Sequence, residues 1–108
     1  MTFQELGLRQ ELLDAVAELG FVNPMPVQEQ VIPYMLTHEN DLVALAQTGT
    51  GKTAAFGLPI LNMVNVEQRK IQSLVLAPTR ELCIQIANDI KNFASKMRGV
   101  KVVPVYGG

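Results

Sequence analysis

Apolar side chains fall along this chain in two rhythms. Leu8, Leu12, Leu13, Val16 and Leu19 line one face of a helix, with Arg9, Glu11, Asp14 and Glu18 turned outward, and Gly20 supplies the stop. Pro24 and Pro26 fix the next corner and release it into a second helix, Val27 to about Leu36, which Pro33 is expected to bend or split. Residues 41–46, Asp41 followed by the unbroken apolar run Leu42 to Ala46, read as a short buried parallel strand. A helix follows from Thr53 through Phe56, Ile60, Leu61 and Val64, with a kink expected at Pro59. After a polar connection at 66–72, residues 73–77 read as a second strand that Pro78 stops. Thr79 is placed to cap a helix whose apolar positions, Leu82, Ile86, Ile90, Phe93 and Met97, are separated by four, four, three and four residues. Gly99 is expected to end it, and residues 100–106 read as a third strand, put at an edge or bulge by Pro104. Strand, loop, helix, strand, helix, strand behind a helical N-terminal section is the order of an α/β parallel-sheet unit.

Composition narrows the class without changing that order. The 108 residues allow one small domain with a modest core, and 48% apolar residues with six prolines argue for a folded chain. No apolar run approaches the roughly 18 residues that span a membrane. The Met1–Glu5 start carries no basic segment ahead of an apolar one, so no secretory signal and a cytoplasmic setting are expected. Cys83 is the single cysteine and His38 the single histidine, which makes a disulfide or a metal site built on them improbable. Charge is lopsided. Residues 1–42 hold one basic side chain against seven acids, and residues 43–108 hold eight against three, summing to the nine and ten of the whole chain. That asymmetry suits a phosphate-bearing partner near the later half, and equally an ordinary solvated helix face.

The chemistry concentrates at Ala46-Gln47-Thr48-Gly49-Thr50-Gly51-Lys52-Thr53, between the first strand and the helix after it. Small residues let successive backbone N–H groups turn toward a triphosphate, a lysine reaches the outer phosphates, and a hydroxyl holds magnesium. Gly49, Gly51, Lys52 and Thr53 supply these parts. Ala46 stands where the strict P-loop pattern asks for glycine. The proline corner before Gln28 holds one amide in a set position, and an amide both donates and accepts, as the N6 and N7 edge of adenine requires. Arg80 and the first-turn amides after Thr79 sit at a strand's C-terminal edge, where open α/β sheets bind ligands.

Three segments together resemble the DEAD-box RNA helicases. Residues 20–28, with Phe3 seventeen residues ahead of Gly20, look like the Q motif; residues 46–53 look like motif I; residues 78–82 look like motif Ia. Met25 departs from the serine or threonine usual there. The resemblance implies a RecA-like P-loop fold with 1–108 as the N-terminal portion of the first motor domain. It also implies ATP and Mg²⁺ as cofactors and RNA as partner, with no membrane. On it, Phe3 packs on adenine, Gln28 reads the adenine edge, and Thr48, Gly49, Thr50 and Gly51 wrap the phosphates. Lys52 and Thr53 serve catalysis, Thr53 as the magnesium ligand. Pro78, Thr79, Arg80, Gly107 and Gly108 contact the RNA backbone. Three alternatives stay open: Phe3 as a core anchor, Arg80 paired to a carboxylate, and the terminal glycines as a plain turn. A P-loop ATPase or nucleotide-binding module that never acts on RNA is the rival function. No Asp-Glu-Ala-Asp occurs, and the acids after the loop, Glu67, Glu81 and Asp89, sit on a connection or a helix. The 108 residues by themselves are therefore expected to lack ATP turnover, and uncovered sheet edges are expected to favour self-association.

Overall fold

A computed structural model describes residues 1–38, 42 and 51–107. A 3-10 turn at Phe3–Leu6 leads into α1 (Gln10–Glu18), α2 (Pro26–Thr37), α3 (Lys52–Met63) and α4 (Arg80–Phe93). The expected first strand at 41–46 lies outside the described residues, apart from Leu42.

Leu12, Ala15 and Val16 are the buried face of α1, and Leu8 is buried just ahead of it. Leu19, expected on the same face, is exposed, because it is already the capping residue where the chain leaves the helix axis. Gly20 adopts a left-handed φ of 89°, which lets its own N–H reach the Ala17 carbonyl (3.1 Å) and the Phe21 N–H reach the Val16 carbonyl (2.9 Å). Those two bonds satisfy carbonyls that the helix end would otherwise orphan.

Pro33 does not split α2: the helix runs unbroken from Pro26 to Thr37. A proline costs one intrahelical donor, and here the helix is held along its length by packing on α3. α3 likewise continues through Pro59, whose ring is fully buried, and it begins at Lys52, one residue earlier than expected.

The core joins the 3-10 turn to α1, α2, α3 and α4 through Phe3, Leu12, Ile32, Leu58, Leu61 and Phe93. Phe21 bridges Phe3 (ring centroids 6.2 Å) and Phe93 (5.9 Å, edge-on), so an aromatic series ties the N-terminal turn to the end of α4. Each such ring pair contributes roughly 0.5–1.5 kcal/mol beyond its burial.

α4 stops at Phe93, six residues before Gly99. Ala94 is buried, and the chain turns tightly behind it, with the Met97 N–H on the Ala94 carbonyl at 2.9 Å. Met97 still packs on the core from this turn, which is why the helical spacing extended past the helix. Lys96 pairs with Glu18 and so fastens the turn to α1; this bond raises the ammonium's pKa. Elsewhere on the surface, Glu5 is held below the ordinary carboxylate range by the Thr2 N–H, and Glu11 by Arg9.

No strand is present among the described residues, so the second and third expected strands, 73–77 and 100–106, lack a ladder. Leu74 and Leu76 are 80% and 84% exposed, and Val103 and Val105 are 74% and 82% exposed. A strand exists only when a neighbouring strand takes up its N–H and C=O groups, and these two segments do not pair with each other. The polar connection before them is closed by an amide clasp. Gln72 accepts from the Asn65 N–H (2.9 Å) and donates to the Asn65 carbonyl (2.7 Å).

Among the described residues no helix is long and apolar enough to cross a membrane, and no group of three or more His, Cys, Asp or Glu could hold a metal ion. Cys83 is half-buried.

Candidate nucleotide and nucleic-acid sites

Gln28 sits in the first turn of α2 at the point where the Pro24–Pro26 corner aims it inward, and only 1% of it is exposed. Its Oε1 accepts from the Met25 N–H at 2.9 Å, and its Nε2 donates to the Gly51 carbonyl at 3.2 Å. The same carbonyl receives the Ala55 N–H at 3.1 Å as the first bond of α3. Gln28 therefore joins the start of one helix to the start of the next. This bonding fixes which end of the amide is oxygen, since only Oε1 can accept from Met25. Met25, which has no hydroxyl, contributes no side-chain cap hydrogen bond to the first turn of α2, where the Gln28 amide takes the Met25 N–H instead.

Gly51 precedes α3 with φ of 80°, a left-handed conformation that side chains rarely tolerate. A Cβ built on it would lie 2.3 Å from Gln28 Nε2 and 3.2 Å from Met25 Sδ. Glycine is thus required twice over, by the backbone and by the close approach of the glutamine. No side chain caps the N-terminus of α3. Its first N–H groups and the positive end of its dipole are a setting for phosphate oxygens. Lys52 is exposed at the first position of that helix, and Thr53, at the second, is half-buried. Thr48, Gly49 and Thr50 lie outside the described residues.

Phe3 takes the core position. Its ring is 3% exposed, and the turn that carries it packs against α2.

Around α4, the Thr79 hydroxyl accepts from the Leu82 N–H at 3.1 Å and caps the helix as expected. Pro78 is exposed beside it. Arg80 reaches across to the end of the chain, where its Nη2 donates to the Gly107 carbonyl at 2.8 Å and its guanidinium lies 5.2 Å above the centre of the Tyr106 ring. Cys83 Sγ stands 3.8 Å from the Val105 carbonyl, one helical turn further on. The N-terminus of α4 and residues 105–107 form one surface; Gly108 lies outside the described residues. Tyr106 and the Gly51 carbonyl are the two participants that the sequence did not single out. An exposed aromatic at the end of an apolar run and a backbone oxygen carry no pattern of their own.

The DEAD/DEAH box helicase family model matches residues 25–108. The chain is 50% identical over 107 residues to the ATP-dependent RNA helicase DeaD of Klebsiella pneumoniae, covering 99% of this chain and 16% of that protein. It is also 50% identical over 107 residues to the DEAD-box ATP-dependent RNA helicase CshA of Geobacillus kaustophilus, again 99% of this chain and 22% of the relative. Among solved structures, the RNA helicase Prp28 from Chaetomium thermophilum bound to ADP matches with a TM-score of 0.88 and 43% identity, over 99% of this chain and 27% of that one. Dbp5 of S. cerevisiae bound to RNA and ADP BeF3 matches with a TM-score of 0.86 and 38% identity, over 90% of this chain and 25% of that one. The chain thus spans about a fifth of the length of these curated relatives and about a quarter of these solved chains. The match over residues 25–108 places the chain in the DEAD/DEAH box helicase family, and the likeness to these solved helicases gives it a RecA-like fold.

Proposed function

We propose that residues 1–108 are the ATP-binding and RNA-backbone-binding front section of the first motor domain of an ATP-dependent RNA helicase. The observation that carries this reading is the buried Gln28 amide, bonded at 3.2 Å to the carbonyl that opens the P-loop helix. One residue thereby faces both an adenine-reading task and the loop that takes the phosphates. The wider protein binds ATP, closes on single-stranded RNA and separates a short duplex.

In this reading Gln28 supplies donor and acceptor to adenine, and the backbone amides of Thr48, Gly49, Thr50 and Gly51 take the phosphates. Lys52 neutralises the outer phosphate charge, and Thr53 would hold Mg²⁺ through its hydroxyl. The cation offsets charge on the transferring phosphoryl group when bound. Phe3 borders the adenine side through the packing of its turn on α2; its ring must shift outward to touch a base. Pro78, Thr79 and Arg80, with Gly107 and Gly108, contact the RNA backbone, supported by the bond between Arg80 and Gly107. In the wider protein residues 73–77 and 100–106 become strands of a parallel sheet, with further segments supplying their ladder partners. Their uncovered edges and exposed apolar side chains let two copies of the 108 residues associate. The 108 residues alone turn over no ATP. They hold no Asp-Glu-Ala-Asp and no second domain to supply an arginine, whose loss alone costs roughly a thousandfold.

The test is nucleotide preference. Gln28→Ala is expected to weaken ATP by about 1–3 kcal/mol and to erase most of the preference over GTP. Damage to the fold would weaken both nucleotides alike, so an unchanged ATP-to-GTP ratio in a titration removes the adenine role.

A further inference from the structure

Tyr106 has no part in the reading above, yet it is the residue on which Arg80 rests. Its ring is half-exposed, at 50%, and the Arg80 guanidinium lies 5.2 Å over it while donating to the Gly107 carbonyl at 2.8 Å. A guanidinium that lies over an aromatic face while donating to a carbonyl has its donor fork fixed in direction, which an ammonium on a flexible stem cannot reproduce. The segment it holds needs holding. Val103 and Val105 are largely exposed, no strand ladder is formed by 100–107, and the Arg80 bond, the ring contact and the Cys83 contact tie 105–107 to α4.

We propose that Tyr106 is a positioning residue of the RNA-backbone site: it orients Arg80, and Arg80 in turn fixes residues 105–107 against the N-terminus of α4. The inference rests on the RNA reading and adds how that surface is kept in shape. Phosphate contacts carry most of the affinity for a nucleic acid, and a preset surface binds without first having to be ordered. Arg80 then contributes geometry as well as charge. Replacing it by lysine keeps the charge and loses both the stack and the fork.

Two measurements on the protein separate this from its premise. The first is amide hydrogen exchange of residues 105–107 without RNA; the second is the affinity for an all-uridine single-stranded RNA, followed by fluorescence anisotropy. Tyr106→Leu and Arg80→Lys are each expected to speed exchange at 105–107 and to weaken RNA about threefold or more, scaled to an exposed cation–π contact. Tyr106→Phe, which keeps the ring, restores both readouts, and ATP affinity stays unchanged in both Tyr106 variants. The double variant Arg80→Lys/Tyr106→Leu loses no more than the worse single one, because the two residues act as one unit. Faster exchange with unaltered RNA affinity overturns the positioning role. So does a loss in Tyr106→Leu that adds fully to that of Arg80→Lys. A parent protein that shows no affinity for the RNA overturns the premise and the proposal with it, whereas normal RNA binding with unaltered exchange overturns the proposal alone.

Discussion

The contact between Gly51 and Gln28 makes a quantitative prediction about the loop's entrance. Gly51→Ala adds one carbon, placed 2.3 Å from Gln28 Nε2 and 3.2 Å from Met25 Sδ. Met25 is 41% exposed and its thioether can swing away at little cost. Gln28 cannot, because it is 1% exposed and bonded at both ends. To clear the new carbon, Nε2 must retreat by about 1 Å, which breaks its 3.2 Å bond to the Gly51 carbonyl. Leaving that buried amide unsatisfied costs about 1–3 kcal/mol. The φ of 80° adds about 1–2 kcal/mol for any residue with a Cβ. The sum, about 2–5 kcal/mol, is a large share of the roughly 5–15 kcal/mol available to a domain of this size. In a Gln28→Ala background the obstacle is gone and only the backbone strain remains, so the same substitution should cost about 1–2 kcal/mol. Urea unfolding of the four chains, parent, two singles and double, measures the difference directly. Equal costs of Gly51→Ala in both backgrounds would refute the claim that Gln28 and Gly51 are in energetic contact. A cost in the parent below about 0.5 kcal/mol would refute the strain argument as well.

Other expectations follow from the same geometry. Lys52→Ala should weaken ATP more than AMP, since its exposed ammonium meets the outer phosphates; equal losses for both nucleotides in a calorimetric titration would give Lys52 a purely structural part. RNA affinity should fall steeply with salt and vary little with base sequence, because Arg80 and the Lys91 to Lys101 tail carry charge without a base-stacking series; tight sequence-selective binding at high salt would contradict it. Leu58→Ala, at a side chain with 0% exposure between the packed helices, should cost about 2–5 kcal/mol in denaturant unfolding without changing the ratio of ATP to GTP affinity.

The helices were legible in the sequence because a helix is a local object. Its hydrogen bonds join residues four apart, and its apolar stripe repeats with the same period, so Leu12, Val16, Ile90 and Phe93 announced both the element and its buried face. The proline corner before Gln28 and the glycine before Lys52 were equally plain, since φ constraints act within one residue. What tertiary structure decided were matters of partnership. Pro33, expected to bend or split α2, stays inside a continuous helix because neighbouring packing outweighs one missing donor. The spacing through Met97 could not show that α4 ends at Phe93, because a tight turn delivers Met97 to the same core. Residues 73–77 and 100–106 have the composition of strands and no ladder among the described residues, because pairing requires a second segment that no local pattern supplies. Phe3, open between core and ligand in the sequence, goes to the core, where Phe21 meets its ring. Gln28 and Gly51, and Arg80 and Tyr106, lie 23 and 26 positions apart in the chain, and only folding brings a buried amide to a carbonyl or a guanidinium to a ring.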